Sequence, residues 1–277
     1  MEEKKKLDKS ASVGASNRGY EVLGNQALQE DSLPDLKEGF YVGKEIPADD
    51  PRVVRKAFLM GPNLWPNPAL IPEEVFRRPL EEYYDRIFAL SLKVLDVVIK
   101  GLGFGDGYED GVNGGVFKEF VSNDAVASVR LLHYPPDESG DERQLGAGAH
   151  TDFGAITLLL QDKVGGLQVW DYKDEIWRDV EPNPDAYVVN VGDMLQMWTA
   201  GTYKSSLHRV INRSGSERYS VPFFFDGNVD TILRPLDGSS VKGGGKALSV
   251  EEHMRERFQT SYGRGKKRSD GGVDVNV

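Results

Sequence analysis

His150-Thr151-Asp152 sets an imidazole and a carboxylate two residues apart. In a β-strand, residues i and i+2 project from the same face, so these two groups could share one ion. A third ligand has to come from elsewhere. Of the chain's four histidines, His208 lies in a second β-forming stretch, Leu207-His208-Arg209-Val210. Two imidazoles and a carboxylate form the facial set that holds non-haem iron(II) and leaves coordination positions open. An H-x-D triplet alone also arises by chance, and a histidine beside a strand is more often structural or superficial, so the reading needs a second feature.

Arg218-Tyr219-Ser220 supplies it, ten positions after His208. Strand alternation again puts Arg218 and Ser220 on one face. Arginine offers a rigid fork of donors that matches a carboxylate, and the serine adds a hydroxyl beside it. Val221, Phe223, Phe224 and Phe225 are too apolar for a surface strand. An arginine turned inward from such a strand is a buried charge that calls for an anion. Alternation sends Phe224 inward too, as a pocket wall or as a packed core ring.

These groups need elements to position them. Tyr84, Ile87, Phe88, Leu92, Leu95, Val98 and Ile99 recur at helical spacing, which predicts a helix over 80–100 stopped by Gly101. Upstream, Pro62, Pro66, Pro68, Pro72 and Pro79 make 61–79 an extended connector, with Trp65 pinning it to the body. Downstream, β-forming segments at 126–134, 155–160, 166–170, 176–180, 186–191, 194–198, 207–212 and 218–225 are parted by Gly, Pro, Asp and Asn clusters. The gaps are too short for helical crossovers, so the expected core is an antiparallel double-sheet jelly roll, mainly β with flanking helices. A last amphipathic helix is expected over about 249–262. Residues 1–17 and 263–277 are read as disordered tails because they are poor in apolar groups. That leaves 18–125 as an N-terminal connector and helical part and 126–262 as the catalytic domain.

The net charge of −10 in 277 residues gives no attraction for nucleic-acid phosphates or anionic lipid. The absence of cysteine removes thiolate nucleophiles, Cys-held zinc and iron–sulfur clusters. No segment has the length of a membrane span and no apolar signal core opens the chain. A cytoplasmic protein with a small-molecule partner is expected; its oligomeric state is not legible.

Five segments, His150-Thr151-Asp152-Phe153-Gly154-Ala155-Ile156-Thr157-Leu158-Leu159, Gly165-Gly166-Leu167-Gln168-Val169, Val189-Asn190-Val191-Gly192-Asp193, His208-Arg209-Val210 and Arg218-Tyr219-Ser220, have an order and spacing that together resemble the isopenicillin N synthase-like branch of the 2-oxoglutarate/iron(II) dioxygenases. Arg18-Gly19-Tyr20-Glu21 and Asp35-Leu36-Lys37-Glu38 resemble its N-terminal half, particularly in fungal members. The resemblance implies a double-stranded β-helix core in which His150, Asp152 and His208 bind iron(II). It also implies that Arg218 and Ser220 hold the distal carboxylate of 2-oxoglutarate, with Tyr134 touching the co-substrate. Leu132 stands where plant members often carry asparagine. The implied reaction uses dioxygen and converts 2-oxoglutarate to succinate and carbon dioxide while a small organic molecule, of secondary metabolism, is hydroxylated, desaturated or cyclised. Two alternatives accompany this reading: an oxidase of the same fold that takes no keto acid, and a non-catalytic binding protein. Only 17 residues precede Arg18, fewer than the family usually has there, so an incomplete N-terminal part and reduced stability are expected.

Overall fold

Residues 2–103, 115–122, 125–239, 241 and 246–269 are described by a computed structural model of the chain. Ten strands among them form two antiparallel sheets. They are β1 (Gly19–Glu21), β2 (Glu38–Gly43), β3 (Ala125–Tyr134), β4 (Ala147–His150), β5 (Ile156–Gln161), β6 (Leu167–Asp171), β7 (Ile176–Asp179), β8 (Val188–Val191), β9 (His208–Val210) and β10 (Arg218–Asn228). Helices α1 (Glu2–Lys6), α2 (Pro51–Val54), α3 (Arg77–Gly101), α4 (Gly115–Phe120), α5 (Asp193–Trp198) and α6 (Val250–Ser269) accompany them. The larger sheet runs β1-β2-β3-β10-β5-β8 and the smaller β4-β9-β6-β7. This is the expected jelly roll. β10 is the central strand that matters most, paired with β3 on one side and β5 on the other.

Alternation along β10 divides its side chains between two environments. Phe223 and Phe225 are fully buried in a core shared with Tyr84, Ile87, Leu95 and Ile99 of α3. Arg218, Ser220, Pro222 and Phe224 point the other way, into the space between the sheets. There a smaller apolar cluster of Leu28, Leu132, Tyr134, Ala147, Leu159, Leu167 and Val210 holds the two sheets together. Helix α3 begins three residues earlier than expected, since Pro79 falls in its first turn, where a missing N–H costs nothing.

Gly227 closes this frame. It has φ +79°, and a Cβ there would lie 1.8 Å from the Phe120 ring, which packs edge-on against Trp198 at 4.4 Å. Gly227→Ala is expected to destabilise the chain by about 1–3 kcal/mol through strain and overpacking. An unchanged thermal unfolding midpoint would refute it.

Three expectations need correction. The segment 194–198 is not a strand but belongs to α5, with Met194, Leu195 and Trp198 buried at helical spacing. A short apolar run does not separate strand from helix by pattern alone. Second, the stretch expected as a disordered tail over 1–17 carries α1 and a 3-10 turn (Lys9–Ala11). Its order comes from polar contacts to distant strands: Tyr20 N–H donates to Leu7 O at 2.6 Å, Lys4 pairs with Glu38 at 2.9 Å, and Lys9 pairs with Glu21. None of α1 is buried, so apolar content gave no sign of it. Third, α6 runs beyond 262 into the stretch expected to be a tail. Adding residues to a formed helix costs far less than nucleating one, even across glycines. The rest of that expected tail, 270–277, lies outside the described residues.

On the outer face of β3, His133 stacks on Tyr219 and bonds Glu38 at 3.0 Å through Nδ1 and Glu217 through Nε2. As alternation requires, it faces away from the site. Partial burial pulls its pKa down, but the two carboxylates outweigh that and raise it above 6.5. Burial raises Glu38, but Tyr20, Lys4 and His133 outweigh this and hold it at about 2. Because the folded pKa of His133 is raised, its contribution is complete below pH 6.5 and is lost as pH climbs through the raised value. The contribution of Glu38 is present above pH 4.5 and is lost as pH falls toward 2. Thermal midpoints measured across pH are therefore expected to decline above 6.5, and His133→Gln is expected to remove that decline. An unchanged profile in the variant would exclude the role.

Candidate active site

His150 ends β4, Asp152 lies in the turn that follows it, and β9, paired with β4 so that His208 stands opposite His150, brings the third group. The donor atoms of His150, Asp152 and His208 all lie within 4.8 Å of one another. The two imidazole centroids are 4.3 Å apart, and His208 Nε2 is 3.7 Å from Asp152 Oδ1. Each imidazole is oriented the same way: Nδ1–H of His150 donates to Gly148 O at 2.7 Å and Nδ1–H of His208 to Ser206 O at 2.9 Å. Both Nε2 lone pairs are thereby turned to the common centre. Asn190 Nδ2 donates to Asp152 Oδ2 at 3.2 Å, leaving Oδ1 for the centre. Burial, followed by the neighbouring His208, lowers the His150 pKa well below 6.5, so it is a neutral donor at pH 7. Two imidazole nitrogens and a carboxylate oxygen, with their outer partners in place, fit a facial iron(II) site.

Gly154 must be glycine for local reasons. A Cβ there would meet Asp226 Oδ1 at 2.3 Å and Phe225 O at 2.8 Å, so a side chain would push the Asp152 loop off β10.

Arg218 is fully buried on the inner face of β10. Its Nε donates to Gly165 O at 2.6 Å and its Nη2 to Gln161 Oε1 at 3.2 Å, while the guanidinium lies 4.7 Å from the Tyr134 ring centroid. Nη1 has no partner, and no carboxylate pairs with Arg218 among the described residues. Ser220 stands two residues on, buried on the same face. Arg218, Ser220, Tyr134 and Phe224 line one cavity together with His150, Asp152 and His208. All seven residues singled out in the sequence are thus brought together. An orphaned donor on a buried guanidinium, in a cavity that opens on three metal-type ligands, fits a dicarboxylate that bridges the two.

Sequence reasoning missed four participants. Asn190 and Gln161 orient Asp152 and Arg218; each is a polar residue in an apolar strand, a signal that was present but unweighted. Arg130 and Asp226 line a second cavity that also reaches His150 and Asp152. Asp226 continues the inward series of β10, two residues past Phe224. Burial, then the charge of Asp152, pushes its carboxyl up to about 7 against the pull of Arg18.

Comparison with known proteins agrees with this geometry. Residues 125–227 match the model of the 2OG-Fe(II) oxygenase superfamily, and residues 1–68 match that of the non-haem dioxygenase in morphine synthesis N-terminal region. The 2-oxoglutarate-dependent dioxygenase citB of Monascus ruber is 53% identical over 249 residues, covering 88% of this chain and 73% of that one. Clavatol oxidase claD of Penicillium crustosum is 42% identical over 275 residues, covering 95% and 78%. Among solved structures, a full-length Neurospora crassa protein in complex with alpha-KG and thymine superposes with a TM-score of 0.73 at 27% identity, covering 94% of this chain and 78% of that one. Among the described residues no helix is long and apolar enough to cross a membrane. The chain belongs to the 2OG-Fe(II) oxygenase superfamily and is a 2-oxoglutarate-dependent dioxygenase that uses iron(II).

Proposed function

We propose that His150, Asp152 and His208 hold the iron(II), that Arg218 and Ser220 hold the distal carboxylate of 2-oxoglutarate with Tyr134 alongside, and that Phe224 walls the substrate space. The observation that carries this assignment is the unpartnered Nη1 of Arg218, buried in the cavity that reaches the triad. Bound at the centre, iron and keto acid supply an oxidation by dioxygen, coupled to formation of succinate and carbon dioxide. The chain's own residues orient the reactants. Gly148 O and Ser206 O hold the imidazoles, Asn190 holds the carboxylate, and Gln161 and Gly165 hold the guanidinium. The inter-sheet apolar cluster excludes water from the keto-acid end.

The prime substrate is a small organic molecule, as the relatives named above support, rather than a nucleic acid, which a net charge of −10 disfavours. Hydroxylation, desaturation and cyclisation all remain available to this arrangement. An oxidase of the same fold that takes no keto acid is not favoured, because the relatives are named as 2-oxoglutarate-dependent dioxygenases. Anaerobic addition of iron(II) and then 2-oxoglutarate is expected to develop a weak visible charge-transfer band, and small organic compounds are then screened for stimulated succinate release. Folded, iron-loaded protein that shows no band would overturn the assignment.

A further inference from the structure

Two cavities meet at the triad. One carries Arg218; the other is reached by His150 and Asp152 but not by His208. This second cavity has aromatic walls in Tyr41, Phe153, Phe224 and Phe258, contributed by separate elements. Its polar groups are unevenly satisfied. Arg130 is fixed at one end, where Nη2 donates to Glu21 at 3.1 Å and the guanidinium lies 4.1 Å over the Tyr41 ring, yet its buried Nε has no partner. The Asp226 carboxyl, 3% exposed, makes no hydrogen bond or ion pair among the described residues.

A buried carboxyl left without a hydrogen-bond partner is destabilising. Asp226 stands eight residues beyond Arg218 on the same strand face, roughly 26 Å away along an extended chain, so it has no share in gripping the keto acid. The charge of Arg18 favours the ionised form of Asp226, but a hydrogen-bond donor has to come from something that enters the second cavity. Facing Arg130 across aromatic walls, it calls for a flat ring that offers a donor to the carboxyl and an acceptor to the guanidinium. We infer that Asp226 binds the prime substrate directly and selects it, accepting from a hydroxyl on an aromatic compound whose carbonyl oxygen is turned to Arg130. This rests on the iron and 2-oxoglutarate assignment made above.

The test uses the full chain loaded anaerobically with iron(II) and 2-oxoglutarate, with 4-hydroxyacetophenone and acetophenone as probes titrated by ligand-observed NMR. Wild type is expected to bind the hydroxylated probe at least tenfold more tightly. Asp226→Leu is expected to abolish that preference, and Asp226→Asn, which keeps an acceptor oxygen, to retain part of it. Both variants should bind 2-oxoglutarate as wild type does and unfold at the same or a higher temperature, because an orphaned carboxyl has been removed. Equal affinity of the two probes for wild type, no binding of either, a preference that survives Asp226→Leu, or a fall of several degrees in the unfolding midpoint of both variants would each overturn the assignment. If 2-oxoglutarate binding is intact in those cases, the iron-centre reading stands. A wild type that binds no 2-oxoglutarate sinks both.

Discussion

His208→Ala is expected to abolish retention of iron(II) on a desalting column while the chain stays folded. The imidazole is held by a single bond from its Nδ1 to Ser206 O, and its Nε2 is committed to the shared centre. Its removal leaves one imidazole and one carboxylate, which cannot cap a face of the ion. Loss of an outer partner of a ligand typically costs 10–100-fold in metal affinity, so loss of a ligand itself should exceed about 100-fold. Asn190→Ala provides the calibration: it removes the 3.2 Å bond to Asp152 Oδ2 and should weaken retention by roughly 10–100-fold without abolishing it. Metal content by mass spectrometry, set beside the unfolding midpoint of metal-free protein, separates ligation from folding. Wild-type iron content in His208→Ala would refute the ligand assignment.

Arg218→Ala is expected to leave iron content unchanged and raise the dissociation constant for 2-oxoglutarate by roughly 30-fold to a few thousand-fold, the equivalent of the 2–5 kcal/mol lost when one partner of a buried charge pair is truncated. The guanidinium makes two bonds to the protein, from Nε and Nη2, and keeps Nη1 for the ligand. It is pre-aimed by Gly165, Gln161 and the Tyr134 ring, so little ordering cost offsets its contact with the carboxylate. Arg218→Lys should recover only part of the loss, since an ammonium on a flexible stem neither forks nor stacks as the guanidinium does. Titration of the charge-transfer band with 2-oxoglutarate reads both variants. An Arg218→Ala curve that overlays wild type would remove the residue from the co-substrate site.

Much of the centre was legible in the sequence because each part of it obeys a short-range rule. Arg218 with Ser220 is an i, i+2 pair inside β10, which strand alternation alone turns to one face. His150 and Asp152 have the same spacing, but β4 ends at His150, so the turn that follows, not alternation, aims Asp152. The jelly roll followed from short β-forming segments with gaps too short for crossovers, and α3 from a periodicity that persisted over several turns. A short apolar run, or a helix poor in apolar residues, carries no such mark. The residues at 194–198 fitted strand and helix alike, and α1, with no buried residue, is tied to β1 and β2 through Lys4, which lies over the Tyr20 ring and pairs with Glu38.

What the sequence by itself determined is therefore the set of groups and the faces from which they project. Strand geometry repeats every two residues and requires no knowledge of neighbours. Only the tertiary structure decided which groups meet: that β9 pairs with β4 so His208 stands opposite His150, that Gln161 and Gly165 leave one Arg218 nitrogen free, and that the Asp226 carboxyl and Nε of Arg130 reach a second cavity without a hydrogen-bond partner among the described residues. These depend on pairings between strands tens of residues apart, and no local pattern encodes which long-range partner a buried polar atom will find, or that it will find none.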